Sequence, residues 1–367
     1  MGEKAPFVLK FLLYPLSLIY GFIVAIRNKL FDYNILKSKE FRIPVISVGN
    51  ITVGGTGKTP HIEYLIEMLS GEYKIAILSR GYKRKTQGFL IAGENTPVSF
   101  IGDEPWQLKE KYPQVTVAVD SQRVRGIEKL TQSIPDIDVI LLDDAFQHRY
   151  VKPGVNILLI DYSRPIQEDK MMPYGWLRES ARERYRADVI IMTKSPKKIA
   201  PIDKRLVIDK LSLMANQHAY FTTIAYNEPR ALLPETAPLT LQEISDGKYS
   251  ILLVAGIANP KPLQCELEKH SPDVKPLFFP DHHYFTQEDL KKIQNELDAM
   301  PGENKIVMTT EKDVARLKEF ASVMVGTHNW YYLPIKIEFH PGEAELFSKY
   351  IFHYVRNNNR NSLLFKK

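Results

Sequence analysis

This sequence predicts an α/β chain: a larger domain and a smaller second α/β domain, each on a mostly parallel sheet, with an apolar helix ahead of both. Three observations lead there. Short apolar runs alternate with helical stretches along most of the chain, the pattern of a parallel sheet covered on both faces. One such run, Val45–Val48, opens directly into a glycine-rich loop that closes with Gly57-Lys58-Thr59. The rhythm breaks once, across residues 200–248, where Pro201, Pro229, Pro234 and Pro238 punctuate polar sequence.

Residues 1–40 form the apolar helix region. Phe11 to Ile26 carries no charge, with Lys4 and Lys10 before it and Arg27 and Lys29 after it. About sixteen uncharged residues fall short of the roughly 20 that span a bilayer, and Pro15 is expected to interrupt the helix. No small-residue cleavage site follows, which argues against a cleaved leader. Basic flanks on a short apolar helix fit one that lies at an anionic membrane surface. A helix packed on the domain is the alternative.

Residues 41–200 read as a nucleotide-binding domain. Its strand candidates are Val45–Val48, Ile75–Leu78, Val115–Val119, Val139–Leu142, Ile157–Ile160 and Val189–Met192, with helices at His61–Leu69 and Glu104–Lys111. The loop Thr52-Val53-Gly54-Gly55-Thr56-Gly57-Lys58-Thr59 is a phosphate loop of the P-loop NTPase type. Glycines let backbone N–H groups turn toward phosphate oxygens, Lys58 neutralises charge on the β- and γ-phosphates, and the Thr59 hydroxyl can ligate Mg²⁺. The strict pattern wants glycine where Thr52 stands; Gly54 and Gly55 supply the freedom instead. A plain glycine-rich turn is the bland alternative.

Such a loop needs a carboxylate opposite it to complete the Mg²⁺ shell. Asp143 and Asp144 end an apolar strand about 85 residues downstream and fit that need, although a strand-end Asp can also cap a turn. Asp103, at the start of a helix, is either its cap or the carboxylate that accepts a hydroxyl proton during transfer. Asp281-His282-His283 lacks the spacing of a zinc site, which leaves a catalytic or positioning role or a polar loop. The basic runs at 79–85 and 178–186 are solvated faces or phosphate contacts. Met192-Thr193-Lys194 resembles the base-reading strand end of GTPases, but Ser195-Pro196 replaces the guanine-reading aspartate, which favours ATP.

Residues 201–248 connect to a second α/β domain, 249–352, with strands at Ile251–Val254, Leu277–Phe279, Ile306–Met308 and Tyr331–Ile335 and a helix from Gln287 to Leu297. Residues 353–367 have the composition of a polar, disordered tail. A cleft between the two domains is expected. One cysteine, Cys265, excludes an intrachain disulfide framework. The net charge of +6 favours an acidic partner. Aromatic residues are not interleaved with the basic clusters, which argues against nucleic acid.

Eight segments occurring in order across nearly the whole chain resemble the tetraacyldisaccharide 4′-kinases, which phosphorylate a lipid A precursor. They are SVGNITVGGTGKTP (47–60), SRGYKR (79–84), GDEP (102–105), LDDAFQHR (142–149), MPYGWLRES (172–180), MTKSP (192–196), FPDHHYF (279–285) and MTTEKDVARL (308–317). The resemblance implies transfer of the ATP γ-phosphate to the 4′-hydroxyl of a tetraacyldisaccharide 1-phosphate, with Mg²⁺. It also implies work on the cytoplasmic face of a bacterial inner membrane, with no obligate protein partner. Carried across, Thr52–Thr59 hold the phosphates, and Thr59, Asp143 and Asp144 the metal. Asp103 becomes the base, with His282 preferred over His283 as its partner from the other domain. Glu104, Arg123, Gln147, His148, Arg178 and Glu179 line the cleft. A membrane-bound NTPase that only hydrolyses ATP shares the loop and the Asp pair, but would need neither Asp103 nor the DHH segment.

Overall fold

The computed structural model describes residues 7–320, 324 and 329–364, and divides into two compact units. The first comprises 1–101, 108–224 and 337–367, the second 102–107 and 225–336.

The first unit opens with α1 (Phe7–Asp32). Strands β1 (Val45–Gly49), β2 (Ile75–Ser79), β4 (Thr116–Val119), β5 (Val139–Asp143), β6 (Val155–Asp161), β7 (Val189–Thr193) and β8 (His218–Tyr226) carry its sheet, with a short β3 (Leu90–Ile91) at one edge and β14 (Ile335–Phe339) at the other. The order is β14-β8-β7-β6-β1-β5-β2-β4-β3. β1 runs parallel between β5 and β6, pairing Val45 with Ile140 and Ile46 with Val155. Every residue of β1, β2, β5 and β7 is buried, which explains why these strands read as unbroken apolar runs. Helix α2 (Lys58–Leu69) packs Ile62, Leu65, Ile66 and Leu69 inward. Each such side chain contributes about 1.5–3 kcal/mol on burial. Also in this unit are α3 (Val98–Ile101), the last residues of α4 (Asp103–Lys111) from Leu108 on, α5 (Arg123–Ser133) and α6 (Pro201–Leu211).

The second unit holds a five-stranded sheet in the order β11-β10-β12-β13-β9. Its strands are β9 (Arg230–Ala231), β10 (Ser250–Ala255), β11 (Val274–Phe278), β12 (Lys305–Thr310) and β13 (Asn329–Leu333), parallel except for β9. Helices α7 (Leu241–Asp246), α8 (Lys261–Leu267), α9 (Gln287–Asp298) and α10 (Glu311–Leu317) accompany it. Leu252, Val254, Ile293, Leu297, Val307 and Leu317 form part of its core.

Four expectations differ from what is found. Pro15 lies inside α1 without ending it. Proline removes only one intrahelical bond, and the helix is fastened beyond it by Ser17 Oγ donating to Met171 O at 2.7 Å and Tyr20 OH donating to Arg178 O at 3.0 Å. The 353–367 tail is helical as far as it is described, since α11 runs Glu343–Leu364; residues 365–367 lie outside the described residues, as does Lys4. That helix belongs to the first unit because Tyr354 OH bonds both N (3.0 Å) and O (3.3 Å) of Val45, while Glu343 accepts from Phe221 N. The connecting region is split: α6 and most of β8 join the first unit, β9 and α7 the second. Finally, Asp103 sits in the same unit as His282, because residues 102–107 cluster with the second sheet.

Candidate active site

The phosphate loop connects β1 to α2. Gly57 caps α2 in a left-handed conformation (φ 85°), and Gly54 also has positive φ (107°). A side chain at either position would strain the backbone. A second stretch of chain holds the loop's first half: Val53 N donates to Trp176 O at 2.8 Å, Arg178 N donates to Ile51 O at 2.7 Å, and Thr52 bridges Leu177. The Thr56 side chain turns inward, accepting from Asn50 Nδ2 at 2.7 Å. Gly55 has open space around it.

Lys58 is the first residue of α2, and its Nζ lies 3.6 Å from Asp144 Oδ1. Arg178 grips the same carboxylate with both terminal nitrogens, at 3.1 and 2.9 Å, and also bonds Asn50. Burial pushes the Asp144 carboxyl up, but Lys58 and Arg178 outweigh it and hold it at about 2. Asp143, one residue earlier on β5, is buried and accepts from Ser79 Oγ at 2.9 Å. Two carboxylates beside the start of α2, with the Thr59 hydroxyl in its first turn, suit a Mg²⁺ ion that keeps waters and phosphate oxygens as its other ligands. Among the described residues, no cluster of three or more His, Cys, Asp or Glu side chains could hold a metal by itself.

The other expected residues of this unit are mostly internal braces. Arg123 is buried and donates to Asp143 O at 2.9 Å, and burial brings its guanidinium down to about 10. His148 accepts from Arg123 N at 3.3 Å, and burial followed by the Arg123 charge holds it down at about 4. Gln147 donates to Asn50 O at 2.7 Å. Glu179 is buried against Asn28, Gln147 and Arg186.

In the second unit, Asp103 and Glu104 open α4. Asp103 Oδ2 lies 3.5 Å from His282 Nδ1 and 3.1 Å from Arg316 Nε. Burial raises this carboxyl, but His282 and Arg316 outweigh it and set it at about 2. His282 has a left-handed backbone (φ 60°), and its Nε2 is 3.1 Å from Lys312 Nζ. His283 turns elsewhere, bonding Asp289 Oδ2 at 2.9 Å and stacking on Phe279.

Sequence reasoning missed several residues. Arg316, Lys312 and Asp313 lie on α10, and the only signal was their place in the MTTEKDVARL segment. His61 is buried one turn into α2, with Nδ1 2.7 Å from Gly57 O and Nε2 3.1 Å from Thr222 Oγ1. A carbonyl only accepts, so Nδ1 carries the proton and Nε2 accepts from the threonine; burial holds the ring neutral, near 4. Lys194 bonds Gly55 O and reaches Asp161 Oδ2 at 2.8 Å. It braces the loop from the end of β7.

The basic segment after β2 lines a cavity of about 760 Å³ with Arg80, Lys83, Arg84 and Arg125. On α1, the polar side docks and the apolar side faces out: Leu18, Ile19, Phe22 (68% exposed) and Ile23 are exposed. No described helix is long and apolar enough to cross a membrane.

A sequence profile of the family Tetraacyldisaccharide-1-P 4'-kinase matches residues 9–352. A tetraacyldisaccharide 4'-kinase of Phocaeicola vulgatus is 48% identical over 353 residues, covering 95% of this chain and 96% of that protein. One from Flavobacterium johnsoniae is 44% identical over 351 residues, covering 96% and 98%. Among solved structures, LpxK from Aquifex aeolicus, an "apo" form in complex with ATP, superposes with a TM-score of 0.72 at 28% identity, covering 95% of this chain and 99% of that one. The chain belongs to the tetraacyldisaccharide-1-P 4'-kinase family.

Proposed function

We propose that this chain transfers the γ-phosphoryl group of ATP to the 4′-hydroxyl of a tetraacyldisaccharide 1-phosphate in lipid A synthesis. The carrying observation is the charge network at the start of α2, where Lys58 faces a carboxylate, Asp144, that stays ionised. Phosphoryl transfer asks the protein mainly for positioning and electrostatic stabilisation. Backbone N–H groups from Val53 to Thr59 bind the β- and γ-phosphates, and Lys58 balances the charge that moves onto the leaving oxygen. Mg²⁺, held by Thr59, Asp143 and Asp144, supplies further charge neutralisation when bound.

Asp103 orients the acceptor hydroxyl and takes its proton. A lone pair on the hydroxyl oxygen forms the new bond to phosphorus, the O–H pair stays on that oxygen as Asp103 takes the proton, and the broken bond to the β-phosphate oxygen leaves its pair on ADP. A carboxylate held near 2 is a weak base. A loose transition state tolerates that, because little proton transfer is required before the phosphoryl group has largely left ADP. His282 orients Asp103. The cavity lined by Arg80, Lys83, Arg84 and Arg125 offers the charge that an anionic lipid head requires. The outward apolar side of α1 supports a seat on the membrane surface that holds the substrate, which this reading puts at the cytoplasmic face of the inner membrane.

The test is direct. Purified protein, ATP, Mg²⁺ and the disaccharide 1-phosphate lipid are incubated, and the lipid is analysed by mass. A product heavier by one phosphate is expected. ADP release without lipid phosphorylation would leave a hydrolase instead.

A further inference from the structure

We propose that Arg316 is a positioning residue for the transfer step, fixing which oxygen of Asp103 meets the acceptor hydroxyl and holding His282 beside that carboxylate. The inference rests on Asp103 as the base and adds the part that aims it. Arg316 is 2% exposed. Its Nε and Nη2 both donate to Asp103 Oδ2, the former at 3.1 Å, and Nη2 lies 3.1 Å from His282 Nδ1. On its far side, Nη1 reaches His283 O and Asp313 Oδ1, each at 3.3 Å. One planar fork therefore joins the start of α4, the DHH segment and α10.

The fork is itself anchored. Asp313 is fully buried, and its other oxygen accepts from Gly256 N at 2.9 Å and Thr310 Oγ1 at 2.7 Å. The guanidinium is thus set by the fold and needs no substrate to place it. Its bonds to Asp103, like the 3.5 Å approach of His282, all fall on Oδ2. Oδ1 is then the oxygen presented to the acceptor, and it becomes the protonated one after transfer. A lysine could supply the charge but not the fork, because an ammonium is a point donor without fixed planar geometry.

The charge has a second consequence. The groups facing Asp103 are His282 and Arg316, with Glu104 next to it on α4. Behind them lie Lys312, 3.7 Å from Asp281, and Asp313. Arg316 is the fixed cation in direct contact. Without it, His282 alone would oppose the upward push of burial, the Asp103 carboxyl would rise, and protonation would silence the base at higher pH.

The experiment compares Arg316→Met and Arg316→Lys in the full chain, with ATP affinity, kcat, KM for the lipid and the pH profile of kcat all measured. In the Met variant kcat should fall on the order of 10²-fold through lost aim, with ATP affinity within about twofold of the parent, since Arg316 is outside the phosphate loop. Its acid limb should move up by about 1–3 pH units. The Lys variant should return the acid limb while leaving kcat at least about tenfold low, because charge and fork are separated. If the Met variant fails to fold, the Lys variant decides: parental kcat there overturns the proposal. A folded Met variant with near-parental kcat and an unmoved acid limb overturns it too. A parent protein that never phosphorylates the lipid would instead remove the kinase assignment on which this rests.

Discussion

The phosphate loop and the Asp103 cluster solve one problem in two ways. Each keeps a partly buried carboxylate ionised, at about 2, by pairing an arginine with a second partner: Lys58 and Arg178 for Asp144, His282 and Arg316 for Asp103. In the loop, Arg178 arrives on a strand-like segment already paired to residues 51–53 by main-chain bonds, and Lys58 adds a second cation. In the cluster, Arg316 arrives on a helix anchored by a buried aspartate, with a histidine as the second contact. The first site is backbone built around glycines, open to a phosphate. The second is built mainly of side chains, with His283 O and Gly256 N as main-chain anchors. Backbone sites tolerate side-chain changes around them and fail when the lysine that meets the phosphates goes; side-chain sites should lose function in coupled steps.

Removing Lys58 tests the first half and should have the largest effect. Lys58→Ala is expected to lower kcat on the order of 10³-fold or more, since its charge acts where the transition state needs it. Near-normal turnover in a folded variant would sink the phosphate-loop assignment.

The second site is probed by Asp103→Ala, His282→Ala and the double variant. Each single change should lower kcat on the order of 10²-fold or more, with ATP affinity nearly intact. Because the two share one oxygen contact, the double variant should be little worse than the worse single one. Fully multiplicative losses in the cycle would show that they work apart. A dead His283→Ala beside a normal His282→Ala would move the role by one residue.

Acid sharpens the contrast through stability. Both gripped carboxylates stay ionised down to about 2, so neither titrates between pH 4 and 7. His61, behind the loop, does report there. Its unfolded imidazole takes up a proton near 6.5 and the folded one only near 4. Protons therefore favour the unfolded chain across that window, and stability should fall as pH drops through it, by on the order of 1–3 kcal/mol. Denaturant melts of the parent and of His61→Gln should show this slope, flatter in the variant. Equal slopes would mean that another group carries the effect.

The smallest effect concerns α1. Replacing Phe22 or Ile19 with Glu puts charge on the outward apolar side. Binding to anionic vesicles should weaken about tenfold per change, given roughly 1.5–3 kcal/mol for one large apolar side chain, with ATP affinity as the folding control. Unchanged vesicle binding would return α1 to a purely structural helix.

By itself the sequence determined what is written in contiguous residues. The strand, loop and helix around Gly57-Lys58-Thr59, the Asp143–Asp144 strand end, the alternating α/β rhythm and the uncharged run in α1 are local patterns. Their physics acts over a few residues: burial of apolar runs, glycine freedom at Gly54 and Gly57, N–H groups at a helix start. Local composition also misled, since Pro15 does not break α1 and the asparagine-rich end forms helix; at α1 contacts from distant chain outweigh local propensity. Tertiary structure alone decided the rest. Arg316 meets Asp103 across 213 positions, Tyr354 meets Val45 across 309, and His61 meets Thr222 across 161. No spacing rule reaches so far. A buried arginine looks like any surface arginine in sequence, and only the packing that removes water from around it turns it into the aim of a carboxylate.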